Sequence, residues 1–586
     1  MNKRLLILLC IGFQQVTAQT WQSNFISNAG TGTLVFNPDS QGNIIPDFSH
    51  VGYASGNKSI PDVPVVLSIE PVAGDNRKHI QDAVDKIAAM PIKNDGFRGT
   101  LLLKKGTYQI NGSINIKQSG IVIRGEGSNA SGTIVKETAT QQLDLFCFSG
   151  TGSISLQENT KAAISEDFVP TGRFYTELEN TSAFRVGDSV LLYRPATNNW
   201  IHDLKMDQIA EREGTNQWNA SGYHLYFERI ITAIDGNRVY FDNPVVMQMD
   251  KNYGGGFVMK YTFKGRIGNC GIENLMMESS YQNDTDENHG WNAINFTKVN
   301  QGWARNLVSR YFGNGCVYID GGSRNISVFD SQCLDAKSII TGGRRYSFNC
   351  NGQLNLFKNC YTTEGRHDFV TGSKVLGPNV FTRCQARKTH SDIGPHHRWA
   401  CGTLYDMIDT DGQINVQDRG NMGSGHGWAG VTQVIWNCRS PKTAVQSPWV
   451  SGKNYCIGLT GGKYEGAFSG RPDGEWEGLN KSGLLPESLY EAQLNVRNKK
   501  AGISNSTKEI DVDIFPNPSV GYINIKTYSG IIHYNLFDSA SRKLKTGTIA
   551  KQNAFLDCSE LRDGIYFLEC SIEGKSHIRK LLIYSN

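Results

Sequence analysis

Along this 586-residue chain, apolar positions mostly recur in short β-rich runs, and only one stretch shows clear helical spacing. In Gly74–Met90, Ile80, Ala83, Val84 and Ile87 fall at intervals of three and four, which predicts a short amphipathic helix. The following stretch, Gly99–Gly127, is cut by Gly, Asn and Ser into runs that cannot bury their faces alone and need neighbouring strands. From about residue 270 a repeat emerges, in which a short strand follows an Asn or its equivalent: IENLMM, ARNLVS, SRNISV, QLNLFKNC, GPNVFTRC and VTQVIWNC. A spacing of 24 residues separates Asn355 from Asn379 and Cys360 from Cys384, and Cys438 holds the same place after an insertion. A period of that size predicts a solenoid, and β-rich runs joined by polar turns predict a parallel β-helix. Each coil then rises about 4.8 Å, so equivalent residues stack in ladders. The repeated cysteines read as small apolar rungs inside the coil.

Two stretches break the rhythm. At the start, Lys3 and Arg4 precede an apolar run from Leu5 to Phe13 and a small-residue site at Val16-Thr17-Ala18, the pattern of a cleaved signal peptide over residues 1–18. That run is too short to span a bilayer, and no other segment has the roughly 18 apolar residues a membrane helix needs. Residues from about 165 to 250 read as a β-rich insertion carrying Trp200, Trp218 and Tyr223. These rings either floor sugar subsites or form the insertion's own core.

Composition narrows the class. With 39% hydrophobic residues, 19% charged and 63 glycines, the chain suits a turn-rich β protein and is long enough for more than one folding unit. A net charge of +4 gives no electrostatic footprint for nucleic acid. Of 13 cysteines, 12 remain after the leader, with no CxxC pair or tight Cys/His cluster to support a structural zinc site.

Two regions resemble known families. GDNRKHIQDAVD, with GTLLLKKGTYQI and IVIRGEG after it, resembles the N-terminal cap and first coils of the pectate-lyase-like right-handed parallel β-helix superfamily. The resemblance covers roughly residues 60–495 and implies an all-β fold: a right-handed parallel β-helix over 19–497 with its cap at about 60–95. That superfamily holds lyases, hydrolases, epimerases and tailspikes, so the fold does not give the chemistry. DVDIFPNPSVGYINI and DGIYFLECSIEGKSHIRKLLI resemble the sorting domain of proteins exported by the type IX route. This implies a small C-terminal β-sandwich over 511–586, usually cleaved after translocation, joined by a polar linker at 498–510. Secretion or cell-surface display follows, with the type IX machinery as partner and no catalytic role beyond the linker.

The chemistry concentrates in residues 363–428, which hold His367, His390, His396, His397 and His426, five of the chain's 12 histidines. Arg366, Lys388, Arg398 and Arg419 accompany them, with Arg344, Arg345 and Tyr346 one coil earlier. Arg366 and His390 are 24 residues apart and should share one face on adjacent rungs. Such a cationic, imidazole-rich wall suits an acidic polymer. One reaction uses this inventory: β-elimination in a uronate polysaccharide, where a cation neutralises the C6 carboxylate, a base removes the C5 proton and an acid assists departure of the C4 oxygen.

On that reading Arg366 and Arg398 take the carboxylate, because guanidinium offers a bidentate fork. His390 or His397 is the base, with His367 in reserve, and Tyr346 or Tyr405 is the acid. Arg345, Lys388, Arg419, His289, Trp291 and Trp200 are the expected substrate-binding residues, although Arg419 also has Asp392 and Asp418 as ion-pair partners. His396 and His397 cannot both lie on one face of a strand. Asp284, Asp286, Glu287 and Asn288 offer oxygens that could hold calcium, or form a solvated acidic turn. Two other classes compete with the lyase. A β-helical glycoside hydrolase is suggested by SGHGW at 424–428 and DTDG at 409–412, which resemble polygalacturonase motifs, but no adjacent Asp-Asp pair or RIK-like motif is present. A noncatalytic glycan-binding solenoid would need the cations and aromatics but no base.

Overall fold

The computed structural model describes residues 19–28, 33–500, 512–515, 519–527, 532–538, 542–549, 554–572 and 575–584. The expected signal peptide at 1–18 and residues 501–510 of the expected linker lie outside these, as do Pro516–Pro518 of the PNPS turn.

The repeat closes into coils of three short parallel strands. One coil comprises Leu376–Thr382, Gln385–Arg387 and Asp392–Pro395, and each strand pairs in parallel with its counterpart one coil on, at Ala400–Asp406, Asp409–Thr410 and Gln413–Val416. The spacing of 24 is visible in the pairing: Thr363 lies opposite Arg387 and Phe357 opposite Phe381. Three parallel ladders run in this way along the chain, a parallel β-helix.

Corners explain the recurring asparagine. Residues five apart adopt left-handed backbone at each end of the first strand, as at Asn325 and Asp330, Leu354 and Asn359, and Thr432 and Asn437, with φ between 49° and 60°. Asn and Asp tolerate this conformation better than other side chains. A second asparagine ladder works through side chains. The Asn379 amide oxygen accepts from the Asn355 N–H at 2.8 Å, and the Asn355 oxygen accepts from the Ile326 N–H at 2.9 Å.

Inside, the rungs stack. Phe357, Phe381 and Tyr405 form one column with ring centroids 4.5 and 5.5 Å apart, and Phe348 lies on Phe369 at 5.6 Å. Cys360, Cys384 and Cys438 are buried in the same core, and the 12 described cysteines are all unpaired. The helix Arg77–Ala88 buries Ile80, Ala83, Val84 and Ile87 against the first coils. At the other end, the helix Leu489–Lys500 runs three residues into the expected linker.

The insertion is an antiparallel sheet that extends from Ile154–Leu156 to Phe257–Phe263, wider than 165–250 because both flanking strands join it. Its core of Trp200, Trp218, Tyr223 and Phe227 continues into Trp399, Cys401 and Trp428 of the coil. The insertion is therefore cemented to the coil's flank. In the C-terminal module, a three-stranded and a five-stranded sheet enclose Ile523, Ile525, Leu536, Leu568, Leu581 and Ile583, the β-sandwich expected.

Candidate active site

One face of the third ladder carries the chemistry. Ile393 and Ile414 point into the core, and their neighbour Asp392 is turned the other way. Loops leaving the strand ends supply the rest. Tyr346 and His367 each lie two residues before a third-ladder strand, His396 follows directly after one, and Arg419 is three residues past the next.

These groups meet in two layers. The lower layer is buried. His367 Nδ1 lies 2.8 Å from Asp392 Oδ1, Arg419 Nη1 donates to Asp392 Oδ2 at 3.2 Å, and Asn415 donates to the same oxygen at 3.1 Å. Arg419 Nη1 is also 3.3 Å from His396 Nδ1. The upper layer is half-exposed: Tyr346, Arg366, His397, Arg398 and His426. The Tyr346 hydroxyl is 3.3 Å from His396 Nε2, with the Arg366 guanidinium beside it. His396 stands edge-on to His367, His397 and His426, with centroids 4.4, 5.0 and 5.2 Å away.

Electrostatics follow from this crowding. Burial, then the neighbouring His367 and Arg419, hold His396 far below the ordinary imidazole range. Burial, His426 and Arg398 lower His397 to about 3; burial, Arg419 and Arg398 lower His426 to about 4. Burial opposes ionisation of Asp392, yet His367 and Arg419 prevail and keep its carboxyl well below the usual range. Burial raises the Tyr346 hydroxyl, which Arg366 and Arg419 partly offset. His396, His397 and His426 are thus neutral imidazoles among guanidinium charges.

His367, Asp392 and His396 each offer a donor atom, all within 4.8 Å of one another, as a metal site would require. The guanidinium nitrogen of Arg419 already bridges Asp392 and His396, so a cation is in place there and the trio does not fit a metal as it stands.

Left-handed backbone also shapes the turn after His397. Arg398 and Trp399 are consecutive left-handed residues, with φ of 53° and 68°. The reversal sends Trp399 into the insertion core and leaves Arg398 at the surface, bound to Ser424 at 2.6 Å and beside the Tyr223 hydroxyl.

Arg366, Tyr346, His367, His397, Arg398 and Arg419 are therefore brought together. Other expected residues stand elsewhere. Tyr405 is fully enclosed on Phe381 and cannot reach a substrate. Trp200 is buried in the insertion core and donates to Ser451, so it floors no sugar subsite. His289 is buried, with Nδ1 2.8 Å from Ser279 Oγ and Nε2 2.7 Å from the Lys337 carbonyl. Trp291 packs against Gly313. Arg345 is buried and donates to the Ser338 carbonyl at 2.6 Å, bracing its loop instead of binding substrate. His390 does stack on the turn of Arg366, but its Nε2 pairs with Glu364 at 2.8 Å, and Lys388 stands exposed in the same turn. In the acidic turn, Asp284 pairs with Lys337, Glu287 with Arg344, and Asp286 accepts two turn amides, so these carboxylates are already committed and do not form a calcium cage.

Asp392, His396, His426 and Asn415 also join the cluster, although the sequence reading gives them no role at a substrate, and Tyr223, one of the rings read as sugar floor or core, meets it through Arg398. Asp392 and His396 flank the apolar Ile393-Gly394-Pro395, a signal that a strand end had gathered polar groups.

Residues 513–584 match the family model described as a secretion system C-terminal sorting domain. The tail marks the protein for export to the cell surface or beyond. Among the described residues, no helix is long and apolar enough to cross a membrane. No curated protein sequence matches the chain. Similar solved structures include the tailspike protein gp49 from Pseudomonas phage LKA1, at 15% identity over 69% of this chain and 74% of that one, TM-score 0.36. The Gp54 tailspike of Acinetobacter baumannii bacteriophage AP22, solved with a capsular saccharide, matches at 12% identity over 80% and 83%, TM-score 0.32. Polygalacturonase from Erwinia carotovora ssp. carotovora matches at 10% identity over 72% and 86%, TM-score 0.26.

Proposed function

We propose that the exported protein is a polysaccharide lyase that cleaves a uronate-containing polymer by β-elimination. The observation that carries this reading is the half-exposed layer of Tyr346, Arg366, His397, Arg398 and His426 over a buried support. Arg366 and Arg398 neutralise the C6 carboxylate, which makes the C5 proton removable. His397 takes that proton, the C5–H electrons form the C4–C5 double bond, and the C4–O bond breaks as Tyr346 donates its proton to the departing oxygen. His397 is a weak base while the site is empty, because burial and the adjacent positive charges oppose its protonation. A carboxylate held by Arg398 cancels part of that charge and strengthens the base where it is needed.

Hydrolysis fits the residues less well, because it needs two carboxyl groups across the scissile bond. Asp392 is bound by His367, Arg419 and Asn415. Asp409 pairs with Arg387 at 2.9 Å, and Asp411 accepts from the turn at Lys388 and Thr389. Incubation with pectin, alginate, ulvan and glycosaminoglycans should give ultraviolet absorbance from a C4–C5 double bond on at least one polymer. New reducing ends without that absorbance would establish a hydrolase instead, and binding without cleavage a noncatalytic solenoid.

A further inference from the structure

Arg419 was expected at the substrate, but its guanidinium is turned inward, with the side chain only 11% exposed. The same nitrogen, Nη1, reaches Asp392 Oδ2 at 3.2 Å and His396 Nδ1 at 3.3 Å. A guanidinium can only donate, so His396 Nδ1 must accept. In the neutral ring the hydrogen then sits on Nε2, which faces the Tyr346 oxygen at 3.3 Å. His367 is fixed in the opposite sense. Its Nδ1 faces Asp392 Oδ1 at 2.8 Å and the Asp392 carbonyl at 3.0 Å, both acceptors, so Nδ1 carries the hydrogen.

We propose that Arg419 and Asp392 are positioning residues, which fix His396 as an Nε2–H donor to Tyr346 and so leave the tyrosine's own hydrogen free for the leaving oxygen. The assignment of that hydrogen to a leaving group rests on the lyase reading above. The phenolate formed as the proton departs is then held by two donors already in place, His396 Nε2–H and Arg366, with no reorganisation at the moment of bond cleavage. Asp392 serves by neutralising Arg419 and holding it in register, and Asn415 completes its coordination at 3.1 Å. Lysine cannot replace the arginine here, because a single ammonium lacks the planar fork that keeps carboxylate and imidazole engaged together.

The test has two independent arms on the full chain carrying 15N-labelled histidine. In the first, ring nitrogen shifts of His396, assigned by their disappearance in His396→Gln, should show the Nε2–H tautomer in the wild type and a shift toward mixed tautomers in both Arg419→Met and Arg419→Lys. A wild-type Nδ1–H tautomer, or shifts that neither substitution moves, overturns the proposal. In the second arm, Arg419→Lys and Asp392→Asn should lower kcat by about 100-fold with KM within about threefold. A raised KM at unchanged kcat would return Arg419 to substrate binding and overturn the positioning role. The Lys variant keeps the positive charge beside Asp392 and guards against loss of folding in the Met variant. If the tautomer responds as expected but the wild type forms no unsaturated product on any polymer, the lyase reading fails and the positioning stands; the converse pattern sinks the positioning alone.

Discussion

An imidazole accepts a proton only while it is neutral, and the surroundings of His397 decide when that is. Burial, then His426 and Arg398, bring it down to about 3, against an ordinary value near 6.5. A base must be deprotonated to work, so a lowered pKa moves the acid limb of the rate profile to lower pH. On the lyase reading, kcat/KM should stay flat as pH falls from 7 to 4.5, where an unshifted histidine base would already have cost about 100-fold. A decline centred near pH 6.5 would remove His397 from the role. The same experiment on His397→Gln and His390→Gln separates two histidines that looked alike. His390 stands exposed and paired with Glu364, outside the layer formed by Tyr346, Arg366 and Arg398. Its loss should change kcat by less than about threefold, whereas loss of His397 should cost about 100-fold with polymer binding retained.

At the scale of elements, the coil is legible in its period, and the same period places Tyr405. Phe357, Phe381 and Tyr405 follow one another at intervals of 24 residues, so the core position of the two phenylalanines was also that of the tyrosine. The same interval does stack Arg366 and His390 in neighbouring turns. It could not find the full cluster, because Tyr346, His396, Arg419 and His426 come from loops of unequal length, and loop length carries no period. Nor could alternation pair His396 with His397, since both lie beyond the strand that ends at Pro395. The insertion's share was hidden for another reason: aromatic rings suit a core and a sugar platform equally well until a neighbour is known. Trp218 shows the outcome. It is 4% exposed, stacks on Tyr223 at 4.2 Å and donates to the Gly425 carbonyl at 3.2 Å, so the insertion clamps the loop that carries His426. Trp218→Ala should destabilise the protein by about 3–5 kcal/mol in denaturant titrations and lower kcat without the tryptophan touching substrate. Unchanged kcat in a folded variant would show that the loop holds its shape without this clamp.

Across the whole molecule, buried ionisable groups of opposite sign set the response to acid. His50, His396, His397 and His426 all have lowered values, burial being the first cause in each. Their folded forms stay neutral while the unfolded chain binds protons below about 6.5, so their contribution is complete above that pH and is lost as pH falls. Glu137, Asp368 and Asp406 act the other way. Burial raises them to about 7, 6 and 6, so the folded state holds their protons in a range where the unfolded chain has released them, and stability is gained as pH falls through that range. Each group tilts the curve by up to about 1.4 kcal/mol per pH unit, and less for the partly exposed His50, His397 and His426, where water screens the effect. Four lowered histidines against four raised carboxyls, the fourth being Asp330, which burial also raises, nearly cancel between pH 4.5 and 6.5. Below that, the balance breaks. Glu228 and Glu491, despite the opposing effect of burial, are brought down to about 2 by Arg266 and Arg324 and by Lys358 and Arg383, and Asp392 is lowered by His367 and Arg419. These carboxylates stay ionised in the fold while the unfolded chain takes up protons, so stability falls steeply below about pH 4. Thermal midpoints should therefore form a plateau from pH 6.5 to 4.5 and then drop. Asp368→Asn removes one of the compensating protons and should convert the plateau into a slope that declines toward acid; a plateau that survives this substitution would mean that Asp368 does not hold its proton in the fold.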